Sequence, residues 1–348
     1  MGPLPAAEAV PPRAVHPAWL PLPSPAGFSR AVPLRFDPAF PAKAAPVPDH
    51  PPQKEWEAGL AAIAWTRQAL DAAGRTAQRL LALGDGSYNT AQLWAALPER
   101  VGLLARCAKN RALFALPDPR TGRPGRPPDY GARQPRPDAF LAARGGWRTA
   151  DLTVRGRTVP IRFRAEGPLL VRGAPETPLF LLVVKGSDPA HGKRRREARY
   201  WLVSAVPDAR GGWALPWPAE RLLGWAWQRW ELEVAHRELK TGFGLGEPQA
   251  WSPRAAVLTV RWAAWAYAVL VLAGLRAWGL GPGPVRAPGR WWAGSGRWSL
   301  ARLWQGFRGE VWGERQFHQG WLRTGGNWDE MADWLALKTN AALAASRT

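Results

Sequence analysis

Three observations predict an α/β fold. The short apolar run Arg79-Leu80-Leu81-Ala82-Leu83 leads into a turn, a short helix and a second strand run, Val101–Arg106. Over 147–217, runs rich in Val, Leu, Phe and Thr alternate with Gly/Pro turns. Segments of helical period then fill 218–280. The strand–turn–helix–strand order implies two adjacent parallel strands, and the short, turn-separated runs imply an antiparallel sheet.

In chain order, residues 1–52 are punctuated by prolines and carry one short strand-like run, Ala31–Phe36. Region 53–116 opens with an amphipathic helix over 54–73, where Trp56, Leu60, Ile63, Ala64, Arg67 and Leu70 fall at three-to-four spacing and Gly74 can end it. A second helix is expected over about 90–97, closed by Pro98. Residues 117–146 are rich in Pro, Arg and Gly without periodicity, which predicts a basic irregular loop. Region 147–217 holds strand runs near 148–155, 158–164, 168–172, 179–185 and 199–206. Two long helices are expected over 218–240 and 253–278, and shorter helical pieces in the tail 281–348.

The chain has 348 residues, a formal net charge of +20 and 47 Lys plus Arg against 27 Asp plus Glu. Only seven of those bases are Lys, a skew that GC-rich coding explains, but such coding does not explain the missing acids. An excess of this kind points to a polyanionic partner, nucleic acid foremost. The lone Cys107 excludes a disulfide framework and fits a reducing, cytoplasmic setting. The start shows no secretory signal. The most apolar run, Trp262–Leu275, is 14 residues between Arg261 and Arg276, short for a bilayer, so no membrane partner is expected.

Two places carry chemistry. Asp85 stands where the first strand run ends, the edge at which open α/β sheets place ligands, although Asp-Gly is also an ordinary turn. In the segment Trp227–Lys240, Arg229, Glu233 and Lys240 are spaced at four and seven residues, which puts them on one helix face with His236 and Arg237. A solvated salt-bridge face has the same pattern.

Together these features resemble the RNase H-like DDE transposases of bacterial insertion sequences, in the group with a Tyr-x2-Arg-x3-Glu-x6-Lys signature. The residues that carry the resemblance are Leu83-Gly84-Asp85-Gly86-Ser87-Tyr88, Ala105-Arg106 with Lys109-Asn110, Arg229–Glu233, His236–Lys240 and Gly244-Leu245-Gly246. The resemblance covers about 54–280. It implies a partial RNase H-like core with a β-rich insertion over 147–217 and C-terminal helices. It further implies Asp85 and Glu233 as the second and third metal-binding, catalytic carboxylates, Mg2+ as the ion in a two-metal site, and Arg229, Arg237 and Lys240 as contacts to transposon-end DNA. Self-association in a synaptic complex and association with the nucleoid follow from the same family. The signature tyrosine position is Ala226, between Trp225 and Trp227. The basic run Lys193-Arg194-Arg195-Arg196 reads either as a phosphate contact or as a solvated loop. Trp147, Trp201, Trp213 and Trp217 are the aromatic residues that could stack on a base.

The first aspartate of such a triad is missing. Asp37 precedes Pro38 in a context unlike the end of a buried strand, and only 48 residues separate it from Asp85. We expect that carboxylate upstream of Met1, with 1–52 a remnant of the core. Two-ion phosphodiester chemistry uses carboxylates to hold both metals. A chain with two of three is expected to be a catalytically incomplete transposase fragment. The alternative is a DNA-binding remnant that regulates or inhibits an intact transposase.

Overall fold

A computed structural model describes residues 16–23, 27–37, 39, 51–118, 128–186, 197–247, 252–281, 297–301 and 303–304. The described chain forms two compact units. The first takes His16–Pro21, Gly27 and Pro33–Trp230; the second takes Leu22, Pro23, Phe28–Val32 and the described residues from Glu231 onward.

The elements in order are β1 (His16–Pro23), β2 (Ser29–Asp37), α1 (Glu55–Ala72), β3 (Leu80–Gly84), α2 (Ala91–Ala95), β4 (Val101–Arg106), β5 (Leu113–Phe114), β6 (Arg133–Gln134), β7 (Arg148–Val154), β8 (Arg157–Val171), β9 (Ala174–Val184), β10 (Arg199–Ser204), β11 (Val206–Pro207), β12 (Trp213–Ala214), α3 (Ala219–Gln228), α4 (Trp230–Phe243) and α5 (Pro253–Trp278). The fold is mixed α/β.

In the first unit eight strands make one sheet in the order β3-β4-β10-β9-β8-β5-β6, with β7 also on β8. β3 and β4 run parallel, from Leu80↔Val101 to Gly84↔Ala105. β4 takes β10 antiparallel on its other side, with Leu202 opposite Ala105. The antiparallel strands β7–β10 thus extend the parallel pair, and β11 and β12 pair in a small ribbon of their own. Two expected strands, 158–164 and 168–172, are one: β8 runs through Gly167-Pro168, and a register shift between Glu166 and Leu169 absorbs the break. The β7–β8 turn at Arg155-Gly156 has both φ positive, at 52° and 72°, as a tight hairpin turn of the right-twisted kind requires.

Strand alternation supplies two apolar faces. Leu103, Ala105, Leu179, Leu181, Val183 and Leu202 face one way, with Trp56 and Leu60 of α1 and Leu93 and Trp94 of α2 packed on them. Leu104, Leu182, Val184, Trp201 and Val203 face the other way, covered by Leu222, Leu223 and Ala226 of α3. Helices on both faces explain why β4, β9 and β10 read as continuous apolar runs. The stretch 117–146, expected to be irregular, carries β6 and a short 3-10 turn at Ala139–Ala142, and Phe140 and Leu141 pack on the first core.

The N-terminal region is also more ordered than expected. β1 and β2 pair in a separate two-stranded sheet. Asp37 closes β2, is buried, and lies 2.7 Å from Arg35, which overlies the Trp65 ring at 5.3 Å. The proline-rich sequence misleads because Pro33 is tolerated within a two-stranded ribbon, where one edge needs no donor.

The single helix expected over 218–240 is divided at Arg229. α3 buries Ala219, Leu222, Leu223 and Ala226, a stripe that would continue to 229–230 and 233. α4 instead buries Glu231, Val234, Ala235 and Leu239, one residue out of phase. Each half therefore presents its stripe to a different core.

The second unit is built on buried ionic pairs. Arg30 is 2% exposed; its Nη1 donates to both oxygens of Glu238 at 2.9 and 2.8 Å, and its Nη2 to the Trp298 carbonyl at 2.8 Å. The guanidinium stacks over the Trp298 indole at 4.4 Å. Tyr267 of α5 donates its hydroxyl to Glu238 Oε2 at 2.8 Å. Arg297 lies 2.7 Å from buried Glu231 and donates to the Ser29 carbonyl. Gly274 admits the Trp298 ring: a Cβ there would come within 2.9 Å of it.

α5 is longer than the 14-residue apolar run. Over Arg254–Trp278 it is long and apolar enough to cross a membrane, with mean hydropathy 1.7, although 33% of that window is buried within the protein. A core helix of a soluble protein passes the same test, and Tyr267 at mid-helix is bound to the half-buried carboxylate of Glu238. The other face leaves Leu258, Trp262, Trp265, Val269 and Leu272 exposed.

Breaking a buried pair from one side strands the other charge, which costs about 3–5 kcal/mol. Arg30→Met should lower the urea midpoint by a corresponding amount. The double change Arg30→Met with Glu238→Leu should recover a large part of that loss, since no charge is then left uncompensated.

Candidate functional site

The carboxyl ends of β3 and β4 lie level in the sheet, because Gly84 pairs with Ala105. Asp85 follows β3 and Arg106 is the last residue of β4, and both are exposed. Gly84 is required here, since a Cβ would meet Tyr88 Cβ at 2.8 Å. Asp85 caps a 3-10 turn, Gly86–Tyr88, with extended backbone at φ −83° and ψ −165°. Its Oδ1 accepts from Ser87 N at 2.8 Å and from Ser87 Oγ at 2.7 Å. Among the described residues its Oδ2 takes no hydrogen bond. Asp85 is therefore a turn residue by local geometry, with one oxygen directed away from the turn's own bonds.

The same Ser87 hydroxyl lies 3.1 Å from Glu55 Oε1, at the first position of α1. Glu55 is 30 positions from Asp85, and no motif or spacing in the sequence announces the pairing. The Tyr88 phenol below is pushed well above its ordinary range by burial first, then by Glu55 and Asp85. It stays protonated.

Behind this edge, buried Asn89 accepts from Trp94 Nε1 at 2.9 Å and donates to the Arg106 carbonyl at 3.2 Å. Thr90 caps α2 by accepting from Leu93 N at 3.2 Å. Cys107 is buried just past β4, its amide bound to the Tyr200 carbonyl at 2.8 Å. Burial pushes its thiol up to about 12, against smaller lowering contributions from Arg111 and the Asn89 hydrogen bond.

On α4, Glu233, Arg237 and Lys240 are all exposed, at i, i+4 and i+7. Arg229 is not on that helix. It ends α3 in the first unit, with its amide donating to the Trp225 carbonyl at 3.2 Å. Asp85 belongs to the first unit and Glu233 to the second. The sequence missed the roles of Glu231 and Glu238, which pair with Arg297 and Arg30. Position 226 carries a buried alanine, and Trp225 packs edge-on to Trp217 at 5.4 Å. Of the aromatic candidates for base stacking, Trp201 is excluded by burial at 4% exposure. Residues 193–196 lie outside the described residues.

A two-ion centre needs three carboxylates or equivalent ligands. Among the described residues no group of three His, Cys, Asp or Glu could hold a metal. Asp85 and Glu55 supply two carboxylates joined through one hydroxyl. This donor set does not fit a two-metal centre.

No family model matches the chain, and no curated protein matches it.

A thiol raised to about 12 and buried is neither ionised nor reachable near neutrality. Native protein at pH 8 should leave Cys107 unmodified by a thiol-reactive dye, whereas protein in denaturant should label fully. Fast labelling of the native chain would contradict the packing of β4 and α2 around it.

Proposed function

We propose that this chain is a DNA-binding relative of the RNase H-like DDE transposases of insertion sequences, one that engages element ends without cleaving them. The observation that carries the reading is Asp85, an exposed carboxylate at the carboxyl edge of a parallel strand pair, after the strand–Asp–helix–strand order of that family. The finer fold assignment, a partial RNase H-like core with a β-rich insertion, belongs to this proposal.

Three further features support it. The net charge of +20 suits phosphate neutralisation. Arg106 ends β4 beside Asp85, and Lys109 and Arg111 follow it in the chain. The exposed face of α4 carries Arg237 and Lys240 beside Glu233, which suits contacts that position DNA. On this reading DNA lies across the carboxyl ends of β3 and β4. Self-association on paired ends and a place on the nucleoid are part of the same proposal.

With Asp85 and Glu233 as two of the family's three carboxylates, the reading is binding without chemistry. A chain of this kind would occupy element ends and compete with an intact transposase for them, which makes it a regulator or inhibitor.

The purified chain should bind a duplex carrying the terminal inverted repeats of its own element more tightly than a scrambled duplex in fluorescence anisotropy. It should give no nicked product with Mg2+. Equal affinity for both duplexes would overturn the transposase reading. Mg2+-dependent cutting at the repeat would overturn the reading that it only binds.

A further inference from the structure

At one end of the sheet in the first unit, three cations surround one indole. The Trp147 ring has Arg162 Cζ at 5.6 Å, Arg164 Cζ at 5.7 Å and Lys185 Nζ at 5.8 Å. The backbone dictates this meeting. Arg148 pairs with Phe163, and Phe163 with Val184, so Trp147, Arg164, Arg162 and Lys185 all flank one row of the ladder. Lys185 N donates to the Arg162 carbonyl at 2.8 Å, which makes those two residues opposite neighbours. Because side chains alternate along a strand, Arg162 and Arg164 point the same way.

The three cations are not equivalent. Arg164 is buried; it is bound to Glu166 through Nε and Nη2, donates to the Gly145 carbonyl at 3.2 Å and lies over the Phe140 ring at 5.2 Å. It is a packed, compensated residue. Arg162 and Lys185 are exposed, and among the described residues neither is paired with a carboxylate. Like charges held side by side on a strand pair destabilise it. The Trp147 indole is itself fixed, partly buried against the core and donating Nε1 to the Ala143 carbonyl at 2.8 Å. An aromatic face offsets part of the repulsion through its quadrupole. It also leaves a planar guanidinium and a compact ammonium side by side on a rigid base, a planar fork and a point charge.

We infer that Arg162 and Lys185, seated on Trp147, form a preformed seat for one backbone phosphate of double-stranded DNA. The seat rests on the proposal that the chain binds DNA and adds a second place where the duplex is held, apart from the Asp85 edge. Trp147 is the floor of the seat and is not a stacking surface for a base: its ring is already flanked by three cations and its N–H is used. The seat carries no sequence information, because phosphate contacts position a duplex and do not read it.

The test is the salt dependence of binding. Neutralising one phosphate contributes about 0.9 to the slope of log K against log salt. Arg162→Gln with Lys185→Gln keeps polar side chains on the surface and removes both charges. In the full chain this pair should weaken binding to repeat and scrambled duplexes alike, by about five- to tenfold at 0.1 M salt, and make the slope shallower by about 1. The charge-conserving Arg162→Lys with Lys185→Arg should retain the wild-type slope. Thermal unfolding of each variant checks that the sheet is intact. If wild type binds and the neutral variant, folded, keeps the full slope, the seat is overturned and the proposed function stands. If wild type binds both duplexes equally and the variant is shallower, the seat stands and the transposase reading falls. If wild type binds no duplex, both fall.

Discussion

The pairing of β4 governs the first unit. It accepts β3 in parallel on one side and β10 antiparallel on the other, so one six-residue strand joins two kinds of sheet. With Leu103 and Ala105 on one face and Leu104 on the other, it also belongs to both cores. A one-residue slip would exchange those faces and turn every side chain of the strand over. The register further sets the carboxyl edge. Gly84 level with Ala105 brings Asp85 beside Arg106, and the glycine leaves room for Tyr88 beneath. The position of the exposed carboxylate is thus a consequence of core packing, made before any chemistry is asked of it.

The second unit is held differently. Arg30, Glu238 and Tyr267 bond to one another, and Glu231 pairs with Arg297. Such pairs add specificity more readily than net stability, since each charge must first be stripped of water. They bring a few residues of β2 together with α4, α5 and the segment at 297–300, which are far apart in sequence. Only the matched partner suits each site. The one-residue phase change at Arg229 is the point where the chain leaves one core and enters the other.

Much of the first unit was legible because its signals are local. The apolar runs gave β3 and β4, Pro98 closed α2, and the helical segments gave α1 and α5 almost to the residue. What was illegible depends on distant partners. Gly167-Pro168 reads as a break, yet β9 holds both halves of β8 in one strand. Asp37 reads as loop, yet it ends a strand and is bound by Arg35. The helix through Arg229 looks continuous until two cores claim its halves. Asp85 at the end of β3 and the exposed charged residues of α4 could each be located from motif and spacing. Glu55 at Ser87, and Arg162 with Lys185 on Trp147, could not, because only the folded sheet brings them together.

On the proposed function, DNA lies across the edge where Asp85 stands. Cys107 is buried and its thiol protonated, so a cysteine placed at 85 would be the one reactive thiol in the native chain. An iron chelate tethered there through Asp85→Cys would generate hydroxyl radicals at that edge. The expected result is a short, localised set of strand cuts near the terminus of a bound repeat duplex. A duplex that remains bound yet uncut from position 85, while a chelate at Lys185→Cys cuts it, would contradict the claim.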